Sequence, residues 1–420
     1  MVGCSSPVAD DSESPASIGP RPRRVVKLGV AAPFTGEPGP AGLGIRNAVD
    51  LAVRQANDAD KVQGWRLELM PVDTSRTDGG ADAAERLISD AKVLAVVGGE
   101  LSVAAGLEDV PADERFSARL AAAGLVELST TASAVVAVPD PGVGFRMAAD
   151  DAAQGRFAAR LAVNRVGARR VTVLAEKSPR GEALTRAFVA AFSAGGRVVV
   201  ATESLGPPPT GVRRLPVAIL DRIRDAAPDA VFVAGEPAEA SRLSPQLDQL
   251  GLMAEVIGIH PLAPSPRYAE LTGPAGEGDL AVAPTMTVED LTGTVSADAG
   301  ARFAKDYRAG GYRDGPGPYG PLAYDAANVA IEALALLLTG REAQAPSAPL
   351  SGQVLSPRDR AAVGDLVAKT DRIGISSRIR FDANGKRLNP LLAGHRLVGS
   401  GFVLQDAEGV ELIAPPAIPR

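Results

Sequence analysis

From Val25 onward, the sequence alternates short runs of β-branched residues with amphipathic stretches at helical spacing. This alternation is typical of βαβ units, in which a helix connects two parallel strands and covers one face of their sheet. The pattern forms a first series that ends near Leu128 and a second series that begins near Arg170. We therefore predict an α/β fold with two Rossmann-like parallel sheets in tandem.

The predicted elements follow from hydrophobic periodicity and from turn residues. In the first series, we predict strands at residues 25–32, 65–72, 93–98 and 125–128, with helices at 44–57, 80–90 and 115–123. In the second, we predict strands at 170–174, 198–201, 230–233 and 255–259, with helices at 182–192, 217–224 and 238–250. The remaining chain adds helices at 303–309, 322–338 and 359–369, and strands at 379–381 and 401–404.

Length and composition exclude several classes of protein. A chain of 420 residues with 45% hydrophobic content favours two or three domains over one. Its 44 basic and 50 acidic residues form no long basic run, so we expect no nucleic-acid partner. No stretch approaches the roughly 18 consecutive apolar residues that a membrane-spanning helix needs. One cysteine and two histidines make a zinc site or a thiol catalyst implausible, and we expect no cofactor.

The single cysteine, Cys4, lies in the segment Met-Val-Gly-Cys-Ser-Ser, which resembles the end of a bacterial lipobox. Residues 5–24 are rich in Ser, Pro, Asp and Glu without periodicity, as in a flexible tether after a lipid anchor. We therefore predict lipidation at Cys4, with a signal peptide upstream of Met1 or already removed. The alternative is a chance cysteine near a flexible terminus.

Several short motifs resemble one family in their order and spacing, although no single motif is specific. They are residues 28–36 before the first helix, Val97 to Ser102, Gly144 to Met147 with Asp151 to Gly155, Ser178 to Glu182, Tyr324-Asp325-Ala326, and Phe381 to Gly385. Over residues 27–404, the chain resembles the leucine/isoleucine/valine-binding family of type 1 periplasmic-binding proteins.

The resemblance implies two discontinuous lobes joined by a three-strand hinge, with a ligand cleft between them. We expect lobe 1 at residues 25–146 and 284–376, lobe 2 at 147–283 and 377–412, a tether at 1–24 and a tail at 413–420. The hinge crossovers are expected near residues 145–146, 280–284 and 374–378. Such a protein is the extracytoplasmic subunit of an ABC importer. It would be monomeric, attached to the bacterial cytoplasmic membrane only by lipid, and would deliver a small polar molecule to permease subunits.

Hydroxyl side chains follow two predicted strands of the first lobe. Ser102 follows the strand at 93–98, while Thr131 and Ser133 follow the strand at 125–128. Ligands of parallel sheets bind beyond the carboxyl ends of the strands, where helix N-termini favour anions such as carboxylates. By resemblance, Ser102 and Ser133 occupy positions that hold an amino acid's α-carboxylate. The alternative is that these residues are ordinary helix N-caps.

The second lobe departs from the pattern of amino-acid-binding relatives. Arg180 stands where those relatives carry an aromatic residue, and His260 aligns with the acidic residue that meets the ligand's ammonium group. Glu236 is a second candidate for that negative charge, or else a solvated surface carboxylate. Arg180 is a candidate ligand contact, or else a solvated loop residue or a surface partner of Glu182. The ligand is therefore an amino acid, an amide or a small carboxylate, and not necessarily a branched-chain amino acid.

Four other residues are interpreted individually. Tyr319, in a Gly/Pro loop before a long helix, either faces the cleft or packs within its loop. Tyr324 and Trp65 are predicted to be structural, and His395 is predicted to be a satisfied core or surface residue.

Two other functions were weighed against ligand transport. Gly36, Gly39, Gly42 and Gly44 form a Gly-rich stretch, but their spacing is not G-x-G-x-x-G, and neither a Walker A motif nor a G-x-S-x-G elbow occurs. An α/β enzyme is therefore weakly supported. A ligand sensor of the same fold is a second alternative, which the absence of an attached signalling domain disfavours.

Overall fold

A computed structural model describes residues 24–36, 39–75, 80–99, 115–130, 142–205, 214–235, 237–259, 266–344 and 355–412. The strands are β1 Arg24–Ala32, β2 Trp65–Asp73, β3 Val93–Gly98, β4 Val126–Ser129, β5 Gly144–Arg146, β6 Arg170–Glu176, β7 Val198–Leu205, β8 Ala230–Ala234, β9 Glu255–Ile259, β10 Leu280–Ala283, β11 Arg372–Ile373, β12 Arg378–Ile379, β13 Leu392–Val398 and β14 Gly401–Glu408. The helices are α1 Gly39–Asp58, α2 Ala81–Ser89, α3 Phe116–Ala122, α4 Asp151–Leu161, α5 Pro179–Ser193, α6 Val217–Ala226, α7 Pro237–Gln249, α8 Pro266–Thr272, α9 Val288–Leu291, α10 Ala297–Ala309, α11 Gly320–Gln344 and α12 Pro357–Ala368.

The first sheet has five strands in the order β2-β1-β3-β4-β5, and all its pairings are parallel. Its strands are buried on both faces because helices cover both. Leu28 and Val30 pack with residues of α1, α11 and α12, whereas Ala31 packs with Leu87 of α2 and Phe116 of α3. This three-layer arrangement confirms the α/β fold predicted from the alternation of strands and helices.

The second sheet has seven strands in the order β14-β13-β10-β9-β8-β6-β7. Strands β6 to β10 are parallel, but β13 pairs with β10 and β14 in antiparallel orientation. The predicted parallel central sheet is confirmed, but two antiparallel strands extend it at this edge, and β13 was not predicted. A tight turn joins Val398 to Gly401 through Gly399, which has a φ of 60°, and so short a connection can join only antiparallel strands.

The chain passes between the two sheets three times. It leaves the first sheet after β5, returns after β10, and enters the second sheet again between β12 and β13. Two segments expected as crossovers are themselves strands, since residues 144–146 form β5 and 280–283 form β10. These strands end at Arg146 and Ala283, the last residues before the lobe boundaries expected at 146/147 and 283/284. Below, the first sheet with its helices is lobe 1, and the second sheet with its helices is lobe 2.

The Gly-rich stretch after β1 is not a loop, because α1 already begins at Gly39. A Cβ atom on Gly42 would lie 1.7 Å from the Pro33 carbonyl oxygen, and one on Gly44 would lie 2.4 Å from the Pro316 carbonyl oxygen. These glycines let the first turns of α1 approach two backbone segments closely. The predicted helix at residues 44–57 is therefore too short at its start.

One helix in the described part of the chain is long and apolar enough to cross a membrane, namely α11 over Gly320–Thr339. The expectation that no stretch comes near this threshold is corrected here, although the evidence for a span is weak. In that stretch, 67% of the residues are buried inside the protein, among them Leu322, Ala326 and Leu334 of the lobe 1 core.

Candidate functional site

Most of the predicted ligand contacts lie outside the described residues. These are Ser102, Thr131, Ser133, Glu236 and His260, and the predicted lipidation site Cys4 lies outside them as well. Arg180 and Tyr319 are described, together with the carboxyl ends of the strands that precede the other positions. The geometry of the candidate site is therefore built from these strand ends and from the helices next to them.

In lobe 1, the end of β3 is held tightly against β1. Gly98 has a φ of 114°, and a Cβ atom there would lie 2.0 Å from the Ala31 carbonyl oxygen. Gly99 N–H donates to the same oxygen at 2.8 Å. Only glycine fits Gly98 without strain, so this contact fixes the direction in which the chain leaves the sheet toward Ser102.

Thr130 follows β4 directly and is fully buried. Its N–H donates to the Gly98 carbonyl oxygen at 3.3 Å, and its Oγ1 has no hydrogen-bond partner among the described residues. Thr130 was not among the predicted ligand contacts. Its position immediately before Thr131, which was predicted as a contact, is the only sign of it in the sequence.

Asp73, at the end of β2, organises the turn after β1. Its carboxylate accepts hydrogen bonds from Phe34 N–H at 2.9 Å, Ser75 N–H at 2.9 Å and Ser75 Oγ at 2.5 Å. Burial acts to raise the pKa of Asp73, but the hydrogen bonds from Ser75 and Phe34 outweigh it and lower the pKa. Asp73 therefore remains a carboxylate at neutral pH. The contact with Phe34 could not be seen in the sequence, because Phe34 belongs to another strand-to-helix connection, 39 residues earlier in the chain.

In lobe 2, the first turn of α5 lies directly over the ends of β6 and β8. A Cβ atom on Gly181 would lie 2.3 Å from the Glu176 carbonyl oxygen and 3.1 Å from that of Ala234. The turn is capped by Ser178, whose Oγ accepts from Gly181 N–H at 3.1 Å. Arg180 is therefore placed at the carboxyl edge of the lobe 2 sheet, where ligands of α/β proteins bind.

Arg180 is a buried helix residue that pairs with Asp151. Its Nε lies 3.6 Å from Asp151 Oδ1, and the exposed fractions of the two side chains are 9% and 0%. The alternatives of a solvated loop residue and of a surface partner of Glu182 are therefore wrong. Glu182 instead pairs with Arg186, with 3.3 Å between Oε2 and Nη1. We refer to Asp151 and Arg180 as the lip pair.

Asp151 begins α4, and close packing of α4 on α5 brings it to Arg180. A Cβ atom on Gly155 would lie 2.5 Å from the Leu184 carbonyl oxygen, so only glycine permits this approach. Gln154 Nε2 also donates toward Asp151 Oδ1 at 3.4 Å. Sequence analysis did not propose a role for Asp151. The glycines at positions 155 and 181 were the signal that the starts of these two helices come together.

Tyr319 is 2% exposed and belongs to the hydrophobic core of lobe 1. The preceding residue, Pro318, accepts a hydrogen bond from Thr285 Oγ1 at 2.6 Å, which ties this loop to the chain after β10. The packing role considered for Tyr319 is therefore present, while contact with a ligand stays a prediction.

The other three residues interpreted as structural are buried or bonded. Trp65 is 3% exposed, and Tyr324 Oη donates to Gln55 Oε1 at 2.6 Å. His395 Nε2 lies 2.9 Å from Asp290 Oδ1, and its side chain is 1% exposed. Trp65 and Tyr324 therefore have the structural roles predicted for them, whereas His395 is satisfied only at Nε2, because its Nδ1 has no hydrogen-bond partner among the described residues.

The chain segments that cross between the lobes contact one another. Arg146 N–H donates to the Gly385 carbonyl oxygen at 2.8 Å, and Arg387 N–H donates to the Arg146 carbonyl oxygen at 3.0 Å. Nearby, Lys386 Nζ lies 3.0 Å from Asp150 Oδ2. The first and third crossing segments are therefore joined by both backbone and side-chain bonds.

A buried polar group anchors the third crossing segment to lobe 1. Asp325 of α11 accepts from Ser376 Oγ at 2.6 Å, Ile375 N–H at 2.8 Å and Ser376 N–H at 3.2 Å. Arg387 Nη2 donates to Ser377 Oγ at 2.7 Å. Burial raises the pKa of Asp325 and lowers the pKa of Arg387 to about 10. We refer to Asp325, Ser376 and Arg387 as the hinge cluster.

Comparison with known proteins assigns this arrangement to a family. A family model described as periplasmic binding protein matches residues 25–347. The chain belongs to the periplasmic binding protein family. The members of this family are extracytoplasmic proteins that bind other molecules. A curated relative, Leu/Ile/Val-binding protein homolog 3 from Brucella melitensis, is 26% identical over 261 residues, covering 61% of this chain and 66% of the relative. The chain spans about two thirds of the length of such curated relatives.

Solved structures of binding proteins share the fold of this periplasmic binding protein. A leucine binding protein, LivK, from Thermotoga maritima superposes with a TM-score of 0.70 at 22% identity, covering 91% of this chain and 98% of that chain. An ABC transporter solute binding protein from R. palustris in complex with benzoate has a TM-score of 0.65 at 18% identity, covering 94% and 99%. At these identities, the likeness establishes the two-lobed α/β fold alone.

Proposed function

We propose that this chain is the solute-binding subunit of an ABC importer. It holds a small polar molecule between its lobes, delivers it to permease subunits, and catalyses no reaction. The observation that carries this proposal is the placement of the lip pair at the carboxyl edge of the lobe 2 sheet, in a chain that joins its two sheets by three crossings. Membership of the periplasmic binding protein family supports it.

The proposed ligand has a hydrogen-bond acceptor at each end. One end, a carboxylate, is held in lobe 1 by hydroxyls and helix amides, and the proposed residues are Ser102, Thr131 and Ser133. The other end meets lobe 2, where Arg180 supplies guanidinium donors and the further proposed contacts are Glu236, His260 and Tyr319. Leucine and benzoate, bound by proteins of this fold, each carry one carboxylate. Arg180 favours a ligand with an additional acceptor.

A binding screen of the full chain tests this proposal. We expect a compound among L-leucine, L-glutamine, L-glutamate and benzoate to raise the melting temperature. A ligand that binds only the folded protein at a hundredfold excess over its Kd stabilises it by about 2.7 kcal/mol. Calorimetric titration of the compound that gives the largest shift should show one site per chain. No shift with any of these compounds would contradict the proposed ligand class.

Ligand binding should also close the cleft. Since crossing segments join the two lobes in the described part of the chain, we expect a rigid rotation that leaves each sheet intact. Small-angle scattering of the full chain should show a smaller radius of gyration with saturating ligand. The free protein should first show the larger radius of gyration that is calculated for separated lobes. If it does, an unchanged radius of gyration at saturating ligand would contradict closure.

We further propose that Cys4 carries the lipid that holds a monomeric protein on the outer face of the cytoplasmic membrane. One acyl chain binds membranes weakly, so stable anchoring needs the several chains of a mature lipoprotein. With a bacterial lipoprotein signal peptide fused upstream, the chain should partition with membranes, and Cys4→Ala should be released with unchanged ligand affinity. Equal partitioning of both forms would exclude this anchor.

A further inference from the structure

The lip pair brings two opposite charges together where the proposed ligand meets lobe 2. The Asp151 side chain is fully buried, and the Arg180 side chain is 9% exposed. Each starts or nearly starts a helix, since Asp151 is the first residue of α4 and Arg180 the second of α5. The Asp151 carboxylate therefore pairs with the Arg180 guanidinium at the edge of lobe 2 where Arg180 would bind the ligand.

Two neighbouring acids at this corner also pair with bases. Asp150, which caps α4 by accepting from Ala153 N–H at 2.8 Å, pairs with Lys386 at 3.0 Å. Glu182, in the first turn of α5, pairs with Arg186. Asp150 and Glu182 therefore have other basic partners, whereas Asp151 pairs with Arg180.

Burial of a ligand carboxylate is costly unless an opposite charge compensates it. A neutral acceptor, such as a carboxamide oxygen, needs only hydrogen-bond donors, and a guanidinium carries five of them whether or not its charge is paired. A guanidinium held by a buried carboxylate therefore favours a neutral acceptor over an anionic one.

We infer that Asp151 holds and neutralises Arg180, so that lobe 2 selects ligands whose distal end is a neutral acceptor, such as a carboxamide, over ligands that end in a second carboxylate. This inference rests on the proposed ligand-binding function. Asp151 acts through Arg180 and is a positioning residue that sets the charge preference of the site.

L-Glutamine and L-glutamate test the inference, because they have the same shape and differ in the charge of the distal end. We expect the full chain to bind L-glutamine at least about tenfold more tightly than L-glutamate, a difference of about 1.4 kcal/mol. Asp151→Asn removes the negative charge that pairs with Arg180, so the ratio of the two affinities should move toward L-glutamate by about tenfold or more. Calorimetric titration at one fixed ionic strength measures both.

Two variants control for general damage to lobe 2. Glu182→Gln removes an exposed carboxylate from the same helix turn as Arg180 and should leave the affinity ratio unchanged. Asp151→Glu retains the charge and should restore the preference for L-glutamine. If Asp151→Asn does not fold, Arg180→Gln removes the other charge, and the ratio should then move further against L-glutamate.

The outcomes separate the inference from the proposed function. If the wild-type chain binds L-leucine but not L-glutamine, prefers L-glutamate, or keeps its ratio in Asp151→Asn, the inference is overturned while solute binding stands. If no compound in the panel binds, the proposed ligand class itself fails. A ratio that shifts in Asp151→Asn and returns in Asp151→Glu supports the inference.

Discussion

The hinge cluster and the lip pair both bury a carboxylate near a guanidinium, but they hold it differently. Asp325 accepts three hydrogen bonds of 2.6 to 3.2 Å, two of them from backbone N–H groups. The contacts to Asp151 from Gln154 and Arg180 are longer, 3.4 and 3.6 Å, and come from side chains. Short bonds to the backbone fix the path of the chain. Contacts between side chains do not fix the backbone directly.

The largest effect is expected at the hinge cluster. Asp325→Ala removes three acceptor contacts and leaves the Arg387 guanidinium buried without its compensating carboxylate, which should lower the free energy of unfolding by about 3–5 kcal/mol. Urea denaturation measures this loss. Asp365→Ala, at an exposed position of α12, is the matched control and should change stability by less than about 0.5 kcal/mol. A loss as small as that of the control would show that Asp325 does not anchor the hinge.

A third buried carboxyl, Glu127 of β4, sharpens the comparison through pH. Burial raises its pKa from 4.5 to about 7, and the hydrogen bond with Ser117 and the charge of Arg146 oppose this shift only in part. The folded protein therefore retains a proton that the unfolded chain has lost between about pH 4.5 and 7, so stability falls as the pH rises through this window. The contribution is at most about 3 kcal/mol.

Glu127→Gln should remove that part of the pH dependence. Denaturation at pH 4.5 and pH 7.5 should then show a smaller loss of stability across this range than in the wild type. Some pH dependence should remain, because burial also raises the pKa of Asp279 in lobe 2 to about 7. An unchanged slope in Glu127→Gln would mean that Glu127 is already ionised in the folded protein.

The lip pair should show a smaller loss of stability accompanied by a loss of binding. Arg180→Ala removes the guanidinium that pairs with the buried Asp151 carboxylate, so we expect about 2 kcal/mol of destabilisation. Affinity for L-glutamine should fall about ten- to a hundredfold. Arg186→Ala, exposed on the same helix, is the control. Lost stability with unchanged affinity would make Arg180 purely structural.

The smallest effect is expected at the pair of Lys386 and Asp150, which joins two crossing segments near solvent. The Lys386 side chain is 49% exposed, and exposed ion pairs contribute about 0–1 kcal/mol. Lys386→Met should therefore change unfolding free energy by less than about 1 kcal/mol and leave the affinity for L-glutamine unchanged. A decrease in the free energy of unfolding of more than about 2 kcal/mol, measured by urea denaturation, would show that this pair stabilises the crossing segments as the hinge cluster does.

Much of the fold was predictable because its signals are local. The predicted strand at residues 93–98 coincides with β3, and the helices predicted at 80–90 and 115–123 lie within one residue of α2 and α3 at each end. The strands β10 and β13 were missed, since a strand at a hinge or an antiparallel edge lacks the regular alternation with helices. The helix starts at Gly39 and Pro179 were missed because Gly and Pro near a helix start also resemble loop residues.

The sequence by itself determined the α/β class and the presence of two sheets, because hydrophobic periodicity and turn chemistry act within a few residues. The position of Arg180 before Gly181 was also visible in the sequence. Only the tertiary structure decided that Arg180 is buried and paired with Asp151, and that Asp325 anchors Ser376. These partners come from separate elements and meet only because helices pack closely at glycines such as Gly155, a contact that no local pattern specifies.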